Sequence, residues 1–260
     1  MYYFKSCSFL FALYLVTSSN LFADDWVVLP RVSAGFMSYD LSTPEIQLGP
    51  TQTLPADKFA ANTFIYGIGM AVVKNNYFVD VFTQKSTSDS DSKAVPELGY
   101  IEEFDAKRKD FSLSIGTNVW KTLKVFIGYK SGSTDSTGSL DSSSNFKETG
   151  YYLGSSYSWL IAENGVLSIN AAVADLDGVL VFSAPALGGI DLKILSEAIG
   201  ASAGIAWSTI LTKSLGLRIS VDANYYQFEN GVDTQLGKLP DNGDVIEKIF
   251  MGRMNLTYKF

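Results

Sequence analysis

The side chains that usually carry protein chemistry are scarce in this sequence. Histidine is absent from all 260 residues and the only cysteine is Cys7. Without an imidazole there is no His general base, and no Ser-His or Cys-His pair. Cys7 lies in an N-terminal segment that reads as cleaved, so disulfides, thiol catalysis and cysteine-bound metals are excluded from the remainder. Only carboxylates, Lys, Tyr or Ser could then move a proton or attack a substrate. No pair of acids is spaced like a catalytic pair, so neither an enzyme nor a cofactor is expected.

Asp89 and Asp91 sit in a Ser/Asp-rich stretch that matches a fragment of a calcium loop, but the remaining ligands and the spaced Gly and Glu are missing. A solvated loop is the better reading, and no metal is expected. Gly67-Ile68-Gly69 lies inside an extended segment and lacks the strand-turn-helix context of a phosphate loop. Two charged sets remain. Arg31, Asp80, Lys124, Arg218, Asp222 and Arg253 fall on the less apolar face of alternating segments, where they could pair with one another or line a polar constriction. Lys107, Arg108 and Lys109 form a cationic run suited to phosphate oxygens.

The segments that position these residues are short and alternating. Hydrophobic residues make up 47% of the chain and charged residues only 18%. Yet no stretch after residue 23 is apolar for the roughly 18 residues that a membrane helix needs. The apolar material is instead dispersed at period two. Leu123, Val125, Ile127 and Tyr129 alternate with Lys124, Phe126, Gly128 and Lys130, and Phe111, Leu113 and Ile115 alternate with Ser112, Ser114 and Gly116. Ten such strands are expected, at 27–39, 60–74, 77–86, 107–119, 122–132, 147–161, 165–175, 196–210, 215–228 and 247–260. Eight and twelve are the other even counts left open.

Short connections at 75–76, 121, 162–164 and 211–214 alternate with long ones at 40–59, 87–106, 133–146, 176–195 and 229–246. That alternation suits an up-and-down barrel with both termini on the side of the short turns. In loop 176–195, Val179 to Phe182 and Ile190 to Leu195 are apolar enough to prolong their strands as a hairpin. All four tryptophans, Trp26, Trp120, Trp159 and Trp207, fall at the short-turn ends, as a membrane-interface girdle requires. Tyr39, Phe82, Tyr129, Tyr151, Tyr225 and Phe250 are candidates for the opposite girdle.

Residues 1–23 carry Lys5, an apolar stretch from Phe9 to Val16, a polar break and Ala23, which is the pattern of a cleavable secretory signal. The domain is then 24–260. Loss of Lys5 takes the formal charge from −7 to −8, which argues against nucleic acid as a partner.

The last segment, Phe250-Met251-Gly252-Arg253-Met254-Asn255-Leu256-Thr257-Tyr258-Lys259-Phe260, is apolar at alternate places and ends on phenylalanine. It resembles the C-terminal signature of bacterial outer-membrane β-barrel proteins. The resemblance covers about ten residues and names no subfamily. It implies an all-β, transmembrane, antiparallel up-and-down barrel in a Gram-negative outer membrane, with periplasmic termini and outward loops. Tyr258 and Phe260 would serve as the signal to the barrel-assembly machinery, and outer-membrane lipid and lipopolysaccharide would be partners. Lys107, Arg108 and Lys109 would then meet lipopolysaccharide phosphates. The barrel hydrolases of that class use histidine, so their mechanisms cannot operate here. Two functions stay open: a narrow porin-like channel for small solutes, and a non-conducting structural or adhesion barrel that presents its loops.

Overall fold

The computed structural model describes residues 26–47, 53–54, 57–95, 100–138, 141–162, 165–184, 190–229 and 243–260. Residues 1–23, expected as a signal, lie outside them together with Cys7. The strands are β1 (Trp26–Thr43), β2 (Ile46–Gln47), β3 (Thr53–Leu54), β4 (Asp57–Lys74), β5 (Tyr77–Ser86), β6 (Asp89–Val95), β7 (Tyr100–Asn118), β8 (Leu123–Gly138), β9 (Ser143–Ala162), β10 (Gly165–Ala184), β11 (Ile190–Ile210), β12 (Leu215–Glu229) and β13 (Val245–Tyr258).

The main sheet runs β5-β4-β1-β13-β12-β11-β10-β9-β8-β7-β6, and an additional β5–β7 pairing joins its ends into a ring. β6 continues β5 along the same partner. β5 pairs with β7 over 109–117 and β6 over 100–106, on either side of Thr87 and Ser88. The Thr87 amide donates to the Phe64 carbonyl at 2.8 Å, and the Thr63 hydroxyl donates to the Thr87 carbonyl at 2.9 Å, pinning the break. The cylinder therefore has ten antiparallel strands, the expected number. β2 and β3 form a separate two-stranded ribbon at the loop end.

All four short connections occur at one end. Asn75 takes a left-handed backbone (φ 53) in the first of them, a conformation that asparagine adopts more readily than most L-residues. The strands differ from expectation in length. β10 and β11 reach 20 and 21 residues, against the roughly 9–11 that cross a bilayer. Most of 133–146 and 176–195, expected as loop, is strand, and the 176–195 hairpin is realised as the ends of β10 and β11. Apolar alternation stops where the outer face turns polar, but backbone pairing continues above that level.

The outer face is apolar from the turn end as far as Phe36, Phe64, Phe111, Tyr151 and Phe250, all exposed. It becomes polar one step on, at Ser38, Asn62, Lys109, Thr149 and Lys248. The inner face holds the core. At the loop end Leu41, Phe146, Leu176, Leu180, Phe228 and Val245 pack across the lumen, with Phe228 at 0% exposure. Phe146 and Phe228 meet edge to face at 5.1 Å. Gly178 is needed beneath them, because a Cβ there would come within 2.7 Å of the Phe228 ring.

Candidate functional site

Beneath this apolar layer the lumen is crossed by a charged layer. β7 turns Lys107 and Lys109 outward and Arg108 inward, where it is 2% exposed. Arg108 is therefore no lipopolysaccharide contact. Period-two alternation separates it from its neighbours, and treating the three as one patch overlooked that. Its Nε donates to Asp110 Oδ1 at 2.9 Å, and its Nη1 to Thr134 Oγ1 at 3.0 Å and Glu247 Oε1 at 2.6 Å. Its Nη2 donates to Glu148 Oε1 at 2.7 Å.

Lys130 Nζ reaches the same Glu148 oxygen at 2.8 Å and lies 4.0 Å from the centre of the Tyr226 ring. The Tyr39 ring lies 5.0 Å from the Arg108 guanidinium carbon. Glu148 and Glu247 are both fully buried. Because β7 and β13 stand across the ring from one another, the Arg108–Glu247 pair is a bar through the lumen. Gly132 leaves room for it, since a Cβ there would meet Glu148 Oε1 at 2.5 Å and Arg108 Nη2 at 2.7 Å.

Toward the turn end the polar contacts continue. Gln84 Nε2 donates to Asp110 Oδ2 at 3.0 Å, and Arg253 Nη1 donates to Gln84 Oε1 at 3.4 Å. Arg253 Nη2 also holds Asp222 Oδ2 at 2.7 Å, and Asp222 accepts from Asn170 and Ser220. Arg31 grips Asp80 with two bonds, at 2.6 and 2.8 Å. The Phe82 ring lies near both guanidiniums, 4.7 Å from Arg31 and 5.7 Å from Arg253. Of the six expected inward charges, Arg31, Asp80, Asp222 and Arg253 thus form two ion pairs. Lys124 and Arg218 face the same lumen nearer the turn end and hold no ion pair among the described residues.

Side-chain exposure falls along the axis, from 24% and 19% at Arg31 and Asp80, through 20% and 12% at Arg253 and Asp222, to 2% or less at Arg108, Glu148 and Glu247. A cavity of about 280 Å³ lies below the bar, lined by Gln84, Lys130, Tyr152, Asn170, Asp222 and Arg253 among others. The sequence reading missed Lys130, Glu148 and Glu247. The signal for Lys130 was its place on the same alternating face as Lys124. Glu148 likewise shares a face with Gly150 and Tyr152.

Two girdle candidates, Tyr39 and Phe82, are corrected by the structure. At 1% and 7% exposure they are lumen residues. Tyr151, Tyr225 and Phe250 are exposed and Tyr129 half-buried on the outer face. Trp26, Trp120, Trp159 and Trp207 gather at the turn end, where Trp159 and Trp207 flank Leu167 in one cross-strand row. Tyr258 and Phe260 are exposed at the same end. Asp89 accepts the Asn62 amide at 2.6 Å and so staples β4 to the start of β6.

No family model and no curated protein matches the chain. Solved structures do. The outer membrane protease OmpT from Escherichia coli superposes with a TM-score of 0.60 at 12% identity, covering 90% of this chain and 97% of that one. The translocator domain of autotransporter NalP from Neisseria meningitidis gives 0.45 at 11% identity over 98% and 96%. The attachment invasion locus protein Ail of Yersinia pestis gives 0.33 at 12% over 90% and 99%. Only the first aligns well enough to compare shapes, and at such identity the likeness concerns fold alone. The ring closed by β5–β7, its apolar outer wall and its filled interior therefore belong to one architecture: this chain has the fold of the bacterial outer-membrane β-barrels.

Proposed function

We propose that this protein is a non-conducting barrel of a Gram-negative outer membrane, a rigid frame that holds its five loops toward the medium as a binding or adhesion surface. The observation that carries this reading is the double seal of the lumen. The Phe146–Phe228 layer lies over the Arg108–Glu148–Glu247 bar, and an ion crossing the lumen would meet both. A filled barrel is a rigid support, and loops on rigid supports are where binding is usually built. A chain without histidine has no histidine-dependent catalysis open to it. A gated solute passage is the second reading. The cavity of about 280 Å³ under the seal favours it, but that reading requires both layers to move.

In this proposal the turn end, with the tryptophans and both termini, faces the periplasm. Tyr258 and Phe260 serve the assembly machinery there. Residues 24–260 contain no cysteine, so single-cysteine variants give clean labelling. A membrane-impermeant maleimide is expected to label Glu229→Cys, at the loop end, in intact cells. Lys213→Cys, in the β11–β12 turn, should be labelled only after the outer membrane is opened. The reverse pattern would overturn the orientation.

A further inference from the structure

On the outer wall, three lysines from different strands fall into one row on the loop side of the apolar band. Lys85 on β5 is the direct register partner of Lys109 on β7. Lys109 is paired with Ser133 on β8, and Ser133 with Lys147 on β9. All three lysines are exposed. Like charges set directly opposite across a strand pair, with Cβ atoms about 5 Å apart, are destabilising unless an anion lies between them. None of the three has an ion pair among the described residues. Lys85 instead leans on the Tyr66 ring at 5.0 Å.

The strand spacing of about 4.8 Å puts Lys147 about 10 Å from Lys109, with Ser133 between them as a hydroxyl donor. One step toward the turn end Phe111 lies next to Lys109 on β7, while Ser131 and Thr149 stand there on β8 and β9, and one step further Tyr129 and Tyr151 touch at 5.7 Å. The adjoining strands β10 to β12 carry acids on their outer face, with Asp175 in register with Tyr151, Asp177 with Thr149 and Glu197, and Glu197 with Glu229. The basic row is therefore a local feature rather than a general property of the rim.

We infer that Lys85, Lys109 and Lys147 form a phosphate-binding row for a phosphorylated glycolipid of the lipopolysaccharide type, with the lipid's acyl chains against Phe111, Tyr129 and Tyr151. The lipid source is favoured over free phosphate because Lys109 stands directly above Phe111, where the apolar wall of β7 ends, and Lys85 and Lys147 lie one polar residue, Thr83 or Thr149, above it on their strands. At that height a bound headgroup would have its chains alongside the aromatic band. The inference refines the expected contact at Lys107 to Lys109. It keeps Lys109, drops the inward Arg108 and also Lys107, which faces Asp135 in register, and adds two lysines distant in sequence. It rests on the proposal that the loop end faces the outer leaflet only for its biological setting.

The test uses the full mature barrel in nanodiscs, with retained lipid counted by native mass spectrometry. The probes are bisphosphorylated lipid A, dephosphorylated lipid A and inorganic phosphate. Lys85→Gln/Lys109→Gln/Lys147→Gln is expected to weaken retention of bisphosphorylated lipid A by about a hundredfold, roughly fivefold per lysine, and to leave the dephosphorylated lipid unchanged. Lys58→Gln/Lys193→Gln, at exposed lysines outside the row, should lose little. Equal loss in that control, no loss in the triple variant, or equally tight binding of inorganic phosphate would each overturn the inference. Because nanodiscs have two equivalent leaflets, failure here is distinguishable from an inverted orientation, which the cysteine labelling reports separately.

Discussion

Replacing Arg108 by methionine is expected to cost the barrel about 3–5 kcal/mol, read as a fall in the denaturant midpoint in detergent micelles and as loss of the heat-resistant band on a gel. Arg108 is the only described group that touches Asp110, Glu148 and Glu247 together. Removing it strands two fully buried carboxylates with Lys130 as their remaining cation. The cost comes from that stranding and not from any large net gain of the intact cluster. Taking charges from water offsets most of what their attraction returns. Arg108→Met/Lys130→Met/Glu148→Leu/Glu247→Leu, which removes both sides at once, is therefore expected to recover most of the lost stability. A neutral single variant would show that the cluster is hydrated and contributes no closure.

The second large effect is expected at the apolar seal. Phe228→Ala should destabilise the barrel by about 3–5 kcal/mol, as for other buried aromatic truncations, in the same denaturant assay. Phe228 is fully buried, stands edge to face with Phe146 and fills the space that Gly178 leaves open. Nearby side chains cannot close the resulting void without moving strands that are hydrogen-bonded on both sides. Because the two rings touch, Phe146→Ala/Phe228→Ala should cost less than the sum of its parts. An effect below about 1 kcal/mol for Phe228→Ala would mean that the loop-end layer is loosely packed and does not seal.

How far the sequence carried the fold depended on which face of a strand was being read. Against lipid, Ile127 and Leu113 are exposed and their alternate neighbours face inward, so period two sufficed. The four short turns and ten strands followed from it. The upper limits of the strands were hidden because the outer face beyond Phe36 or Tyr151 has the polarity of a loop while the backbone stays paired. The tall hairpin of β10 and β11 was visible only because Val179 to Phe182 and Ile190 to Leu195 remain apolar. For the lumen, alternation tells which residues point inward but not which of them meet. Arg31 and Asp80 are 49 positions apart and Arg108 and Glu247 are 139 apart. Those separations follow from closing the ring, which no local pattern encodes. Arg108 itself was misplaced by adjacency, since three consecutive cations look like one surface although a strand must split them.

Tall strands and a filled interior make one mechanical object. The inner side chains make contacts from Arg31 near the turn end to Phe228 at the loop end. A shut native lumen is the property on which the proposed function depends. Its most direct test is the current through purified, refolded mature protein in a planar lipid bilayer. No conductance above that of the lipid alone is expected across the usual voltage range. Discrete, reproducible current steps from the unmodified protein would contradict it, because they would require water and ions to pass where Arg108, Glu148, Glu247, Phe146 and Phe228 are packed.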